Sequence, residues 1–457
     1  METDWCRPLP CGQTTYCLKE TSILKIPFAI AAILALPLAC EPSTADASSY
    51  AEVWEKGKYV KKETVTLGDL KEFPTSEKVF LNTYGGWKKI RTKPTGFFHT
   101  QKIENRWWII DPHGYVFLSV GLNSVYPNGQ KDISNLSNQN LAWGTDTVKH
   151  LKNLGFNTLG CWSVDKIFRK TTIRMPYCLR WNFMSNYRKI RKTKYPATDQ
   201  FNVIYPFDPE YQDFCNKHAK QTLLTRDDPW LLGHFSDNEL PFQEKGIVTK
   251  YLNHPPDDPN HLEAKRFMEN RNNRKPTRED DRDFQKLVVE THYRKVSKAL
   301  KKHDPNHMYL GTRFHGMALH SPGIFEGAGK YADIISVNYY HRWTPEDDRL
   351  TKWSKLARKP ILITEWYAMA EDSGLPTQKF GAGFSVKTQG DRAKFYQHFT
   401  LGLLQNKSIV GWHWFKYQDG QNNAGIINQK DEPYEKLEAS MKQINPQVYY
   451  LTDRKKR

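Results

Sequence analysis

Short apolar runs alternate with helical patterns along most of the chain, and this alternation restricts the fold more than any other feature of the sequence. The apolar runs lie near residues 118, 157, 177, 232, 309, 335, 362 and 410. Buried strands that alternate with helices form a parallel sheet, and eight such strands close a barrel. The sequence therefore predicts an α/β fold, a (β/α)8 TIM barrel, over residues 118–450.

A short N-terminal β-hairpin extension is expected ahead of the barrel, over residues 79–117. Its alternating runs "GFFHTQKI" and "RWWII" flank the turn "EN", and the turn "DPHG" then leads into the apolar "YVFLSVGLN". Runs with a two-residue period around a short polar turn are typical of hairpins. Residues 40–78 are polar and rich in lysine and glutamate, which predicts a tether with one helix.

The first 39 residues have the pattern of an export signal. The apolar run from Ile26 to Ala39 follows Lys19 and Lys25 and is too short to span a bilayer. Cys40 could carry the lipid of a bacterial lipoprotein, and the alternative is cleavage with release of a soluble protein. We therefore expect an exported protein (periplasmic, outer-membrane or secreted) that meets the membrane only through a lipid on Cys40.

Charge and cysteine content narrow the choice of function. The net charge of +17 favours an anionic polymer or surface as the partner, but no nucleic-acid-binding module accompanies it, so no nucleic acid is expected. Cys161, Cys178 and Cys215 have the spacing of neither a disulfide framework nor a zinc site, and we expect buried apolar residues. No nucleotide, metalloprotease or serine-hydrolase motif is present, and the segment from His303 to His307 is interpreted as a turn that ends a helix. No cofactor and no metal are expected.

Two carboxylates stand where barrel strands end. Glu239 closes the fourth strand in "LLGHFSDNEL", and Glu365 closes the seventh in "KPILITEW". Side chains at the C-terminal ends of barrel strands face the active-site side, and a carboxylate there is costly unless it is paired or used. Retaining glycosidases place two carboxyl groups roughly 5 Å apart across the scissile bond. We interpret Glu239 as the general acid/base and Glu365 as the nucleophile.

These residues also carry a family resemblance. Asn238 and Glu239 at the end of strand four, with Glu365 at the end of strand seven, resemble the signature of the clan A glycoside hydrolases. Within that clan, "RWWIIDPHGYVFLSVGLNSV" and "PWLLGHFSDNELPF" are similar to the β-agarase family numbered fifty and to β-galactosidase-like relatives. The likeness extends roughly from Phe97 to Asp419. It implies a barrel enzyme that cleaves β-glycosidic bonds with retention.

Further residues are candidates for substrate binding. Asn238 resembles the clan residue that binds the sugar 2-hydroxyl, and Arg313 and His315 on strand five are expected to face the same way, to steady Glu365 or to bind substrate. In "SVNYYHR", alternation favours Tyr340 as the partner of the nucleophile, with Tyr339 as the alternative. The other candidates are one asparagine and four tryptophans that could stack on sugar or fill the barrel core: Asn123, Trp162, Trp366, Trp412 and Trp414.

The segment "NYRKIRKTKYP" after strand three holds five basic residues: Arg188, Lys189, Arg191, Lys192 and Lys194. It is interpreted either as a solvated basic loop or as a loop that recognises sulfate esters at the mouth of the site.

The leading hypothesis for the whole chain is an exported retaining hydrolase of agarose or a sulfated algal galactan, with a polysaccharide or oligosaccharide as its partner. Two alternatives remain, a β-mannanase or β-glucanase of the same clan and a non-catalytic surface glycan-binding lipoprotein. Both glutamates being present argues against the last of these, because a binding protein needs no buried acid pair.

Overall fold

A computed structural model describes residues 49–70, 78–127, 136–196, 202–272, 275–377 and 381–453 of the chain. The predicted export signal and Cys40 lie outside the described residues. Within the described part, no helix is long and apolar enough to cross a membrane.

The strands are β1 (Tyr50–Glu55), β2 (Lys58–Glu63), β3 (Trp87–Arg91), β4 (His99–Ile103), β5 (Arg106–Ile110), β6 (Tyr115–Phe117), β7 (Ser119–Leu122), β8 (Thr158–Leu159), β9 (Tyr177–Arg180), β10 (Leu231–Phe235), β11 (Met308–Gly311), β12 (Ile335–Asn338), β13 (Ile361–Glu365), β14 (Ala368–Ala370), β15 (Phe384–Val386) and β16 (Ile409–Trp414).

The α-helices are α1 (Asn138–Asn153), α2 (Asp165–Phe168), α3 (Phe183–Lys194), α4 (Tyr211–His218), α5 (Ile247–Leu252), α6 (Pro259–Glu269), α7 (Arg278–His303), α8 (Pro322–Gly329), α9 (Asp347–Ala357), α10 (Gln389–Gln405), α11 (Glu435–Ile444) and α12 (Val448–Asp453).

The predicted barrel is confirmed. Eight parallel strands lie side by side in the order β11, β10, β9, β8, β7, β16, β13, β12. A bridge between Phe314 and Val337 joins the first and last strands of that order and closes the ring. Each of the eight predicted apolar runs contains or adjoins one of these strands.

Capping chemistry marks the longest helices between the strands. Thr277 before α7 and Thr388 before α10 each form a capping box with an aspartate three residues later. Helix α7 also has acidic residues in its first turn and basic residues in its last, which suits the helix dipole. Gly155 follows α1 with φ +79°, a conformation that glycine adopts without strain, and the chain then enters β8.

The predicted hairpin ahead of the barrel is present as part of a larger antiparallel sheet. Strands β4 and β5 pair around the turn Glu104–Asn105, and the full sheet has the order β3, β6, β5, β4. Strand β6 ends at Phe117 and the first barrel strand begins at Ser119, so this sheet leads directly into the barrel.

The tether predicted over residues 40–78 is wrong for residues 50–63. These residues form the antiparallel hairpin β1–β2, and β1 also pairs with β15 through Val53 and Val386. The resulting four-stranded sheet contains β14 and β15, which belong to the segment that follows Glu365. Ala51 and Val53 are fully buried on either side of the partly exposed Glu52, an alternation typical of a strand.

The basic segment after strand three is predicted as a loop, but the structure shows a helix there. Most of it belongs to helix α3, in which Arg191 is buried and pairs with Asp208 and Asp258 at 2.6 and 2.5 Å. Lys194 pairs with Glu210 at the surface. Arg191 is therefore a structural residue of α3, while Lys189 and Lys192 remain exposed.

Candidate functional site

Glu365 lies at the end of β13 with both carboxylate oxygens held. Its side chain is buried, Arg313 Nη2 donates to Oε1 at 2.7 Å, and the Tyr340 hydroxyl donates to Oε2 at 2.5 Å. Burial raises the pKa of Glu365, while the charge of Arg313 and the hydrogen bond from Tyr340 act in the opposite direction. The carboxylate is thus fixed in orientation and partly neutralised by a single cation.

Glu239 follows β10 and differs from Glu365 in being exposed. Its backbone has φ +52°, which is unusual for a residue with a side chain, and its N–H donates to the Thr312 carbonyl at 3.0 Å. The side chain accepts a hydrogen bond at Oε1 from Asn338 Nδ2 at 2.7 Å. The left-handed turn therefore presents an accessible carboxylate to the C-terminal mouth of the barrel.

Asn338 connects the two glutamates and was missed in the sequence. Its amide donates to Glu239 and accepts from Thr364 Oγ1 at 2.8 Å, next to Glu365. Asn338 is also the register partner of Glu365 in the sheet. The charge of Glu239 raises the pKa of Glu365, so the two carboxylates share one electrostatic environment. The same rule that selected the glutamates, a polar residue at a barrel strand end, would have selected Asn338 in "SVNYY".

Arg313 and His315 both reach the site, although strand five ends before them. β11 ends at Gly311, and Arg313 has φ +56°. The buried guanidinium donates to the Thr364 carbonyl at 2.9 Å as well as to Glu365. His315 is half-buried, its ring lies 6.0 Å from the ring of Tyr340, and its charge lowers the pKa of Glu365.

The structure brings Tyr340, and not Tyr339, to Glu365. Tyr339 is turned to the other side of the strand, where its hydroxyl donates to Glu346 Oε2 at 3.0 Å. Its ring packs edge-on against Trp353 outside the barrel. Tyr339 is therefore a core residue, and the simple alternation that favoured Tyr340 gives the correct face.

Three of the four candidate tryptophans are not available to a sugar. Trp366, Trp412 and Trp414 are at most 1% exposed. They pack on aromatic side chains of α10, such as Phe399 against Trp366 at 4.5 Å. Along β16 the alternation directs Trp412 and Trp414 outward to the helix layer, and His413 between them lies against Gly121 inside the barrel. These three residues are corrected from sugar platforms to core.

Trp162 is the fourth tryptophan, and it lines the site. It is partly exposed with φ +61° after β8, and the Arg313 guanidinium lies 4.2 Å from the centre of its ring. Arg180, at the end of β9, lies 5.0 Å from the same ring. Arg180 is a further residue that the sequence interpretation missed.

The two remaining asparagines differ in exposure. Asn123 is fully buried, and its Nδ2 donates to the Thr364 carbonyl at 2.7 Å, so it ties the first strand to the seventh. Asn238 is partly exposed next to Glu239, and its Oδ1 lies 3.4 Å from Asn338 Nδ2. Asn238 is thus placed to meet a ligand, whereas Asn123 supports the strand ends.

Asp237 anchors the loop that carries Asn238 and Glu239. Its buried Oδ1 accepts hydrogen bonds from the backbone N–H groups of Met184 and Ser185, in the first turn of α3. Burial raises the pKa of Asp237 to about 7, and the two backbone hydrogen bonds oppose that shift. The residue therefore caps a helix from a neighbouring strand end and joins two loops of the site.

A second polar cluster lies at the opposite, N-terminal end of the barrel. Donor atoms of His234, Asp304 and His307 lie within 4.8 Å of one another, which is close enough to consider a metal. His234 bonds Asp304 and accepts from the Trp181 indole, while His307 bonds Asp304 and the Asp228 carbonyl. All four ring nitrogens are engaged, which fits a hydrogen-bonded network better than a metal site.

Comparisons with known proteins agree with this geometry. No family model matches the chain. It is 25% identical to beta-agarase B of Vibrio sp. (strain JT0107) over 529 aligned positions, which cover 88% of this chain and 54% of that protein. The chain thus spans about half the length of this relative.

Solved structures with a similar fold include an agarase. The structure of BpGH50 aligns with a TM-score of 0.81 and 29% identity, covering 89% of this chain and 95% of that one. The agarase AgWH50C aligns with a TM-score of 0.69 and 23% identity over 83% of this chain and 68% of that one, a likeness of fold alone. The sequence relative named above is a β-agarase, and the fold is shared with an agarase.

Proposed function

We propose that the chain is an exported, retaining β-agarase-like glycoside hydrolase that cleaves β-glycosidic bonds in a galactose-based polysaccharide such as agarose. The observation that carries this proposal is the pair Glu239 and Glu365 at the C-terminal end of the barrel, with the Asn338 side chain bonded both to Glu239 and to Thr364, the neighbour of Glu365. The similarity to beta-agarase B supports the choice of substrate. The clan A assignment and the export signal belong to the same proposal.

In the first step, an ionised Glu365 attacks the anomeric carbon of the sugar while Glu239 gives its proton to the departing glycosidic oxygen. The C–O bond to the leaving sugar breaks, and a bond from the carboxylate oxygen to the anomeric carbon forms. Arg313 and Tyr340 hold the nucleophile in one orientation, so little reorganisation is needed when it reacts.

In the second step, Glu239 accepts a proton from water as the water oxygen attacks the same carbon and Glu365 departs. Two inversions give net retention. Glu239 is exposed while Glu365 is buried, which suits a residue that must reach both a leaving group and water. Asn338 keeps one oxygen of Glu239 in place through both steps.

The experiment is hydrolysis of a polysaccharide panel by the purified protein, with agarose, porphyran, carrageenan, β-mannan and β-glucan as substrates. We expect oligosaccharides from agarose or porphyran, and NMR of the earliest product should show the β-anomer. An initial α-anomer would contradict retention. Products from mannan or glucan alone would show that the substrate is a β-mannan or β-glucan. Glycan binding without any product would favour a non-catalytic glycan-binding protein.

A further inference from the structure

Arg180 is a cation of the candidate site that the mechanism above does not use. It ends β9, and its Nη1 donates to Asn182 Oδ1. Its guanidinium lies over Trp162, the same ring that Arg313 contacts. The shared ring places Arg180 beside Arg313, which in turn bonds Glu365.

Arg180 has no ion-pair partner among the described residues, unlike three other arginines of the barrel. Arg313 pairs with Glu365, Arg191 with Asp208 and Asp258, and Arg174 with Asp228. Arg180 Nε is buried, and its N–H donates to no acceptor among the described residues. Burial lowers the pKa of Arg180, and the charge of Arg313 lowers it further. A partly buried guanidinium without an anion is costly in the free protein and is stabilised by an anion that arrives with a ligand.

The position of Arg180 beside an accessible indole limits what that ligand can be. Trp162 is partly exposed, and an indole ring is a side chain on which the C–H face of a sugar packs well. A guanidinium matches two oxygens of a planar or tetrahedral anion through parallel N–H bonds. Near Glu239 and Glu365, an anionic sugar would be repelled unless a cation compensated for its charge.

We propose that Arg180 and Trp162 form a subsite for a sugar that carries an anionic substituent, either a sulfate ester or a carboxylate. The proposal rests on the glycosidase function above and adds the substrate class.

The test compares Arg180→Gln with the unchanged protein on three galactan oligosaccharides of equal length, one neutral, one with a sulfate ester and one with a carboxylate. Loss of a charge-assisted hydrogen-bond pair should lower kcat/KM for the matching anionic substrate by about 10- to 100-fold. For the neutral substrate kcat/KM should fall by a clearly smaller factor, because that substrate brings no anion to Arg180. Lys220→Gln removes an exposed positive charge elsewhere and serves as the matched control.

A second readout separates this inference from the proposed function. Binding of the same oligosaccharides is measured by calorimetry in a Glu365→Gln background, with and without Arg180→Gln and Arg180→Lys. Selective loss of anionic binding, partly kept by the Lys variant, supports the subsite even if no turnover is found. Equal loss for neutral and anionic sugars would overturn it, because Arg180 would then only position Trp162. Turnover of the neutral galactan with no affinity for either anionic one would overturn it as well.

Discussion

The two ends of the barrel use similar polar side chains in different ways. Toward the N-terminal end, Asp304 is hydrogen-bonded to both His234 and His307 in a buried cluster. At the C-terminal end, Arg313 and Arg180 keep buried N–H groups without a protein partner. Left-handed backbone also gathers there, at Trp162, Glu239 and Arg313. The polar groups of one end therefore stabilise the fold, whereas those of the other end remain available to bind a ligand.

The largest effect should come from the catalytic end. Glu365→Gln keeps the volume of the side chain and removes the nucleophile, so turnover of a galactan should fall by at least about 10³-fold. The thermal unfolding midpoint should fall too, because the variant leaves the buried guanidinium of Arg313 without its anion, so turnover is measured well below that midpoint. Glu371→Gln, in the exposed turn that follows, should leave both quantities unchanged. Full activity of the Glu365 variant would refute its assignment.

The second effect should come from the other end and should leave catalysis alone. Asp304→Asn removes a buried carboxylate that is hydrogen-bonded to His234 and His307, so the free energy of unfolding should fall by about 3–5 kcal/mol while kcat/KM stays nearly constant. Chemical denaturation and steady-state kinetics measure the two quantities. The exposed pair of Lys149 with Asp146 provides the control, since Asp146→Asn should cost less than about 1 kcal/mol.

The pH dependence of the Asp304 variant gives a further check on the same prediction. Burial would raise the pKa of Asp304, but hydrogen bonds from His234 and His307 hold it below its usual range. A depressed folded-state pKa stabilises the protein fully above the unfolded value of about 4, and the contribution is lost as the pH falls further. The difference between the parent and the variant should therefore shrink on acidification. A difference in the free energy of unfolding that stays constant with pH would contradict an ionised Asp304 held by His234 and His307.

The smallest of the three effects should follow Asn338→Ala. This variant loses one hydrogen bond to a carboxylate, so kcat/KM should fall by about 10- to 100-fold. Asn338→Asp keeps the acceptor for Thr364 but cannot donate to Glu239, and it should lower kcat at least as much. Asn253→Ala at an exposed helix end is the matched control. An Asn338→Ala enzyme with parent kinetics would show that Glu239 does not depend on this amide.

Sequence patterns located the barrel and its glutamates because both depend on local signals. Each strand is a short apolar run between turn residues, and Glu239 and Glu365 stand directly after two of those runs. Tyr340 was favoured for the same reason, since alternation still holds two residues beyond the end of β12.

The errors concern features that a local pattern does not contain. Trp412 and Trp414 lie on a strand whose two faces are both buried, so composition could not tell the helix layer from the interior. The partners of Arg191 lie 17 and 67 positions away, and no spacing rule indicates them. The strand-end rule could have selected Asn338, but its contact with Glu239 and the contact of Arg180 with Trp162 each join separate strand ends that only the fold brings together.

The sheet that joins β1 and β15 has a consequence for the order in which the protein matures. A ribosome delivers residues 50–63 early, yet their partner Val386 emerges about 330 residues later. The sheet that contains β14 and β15, after Glu365, is thus complete only when the early hairpin β1–β2 pairs with β15. Biosynthesis would then complete the surroundings of Glu365 late, when β16 is the barrel strand that has yet to emerge.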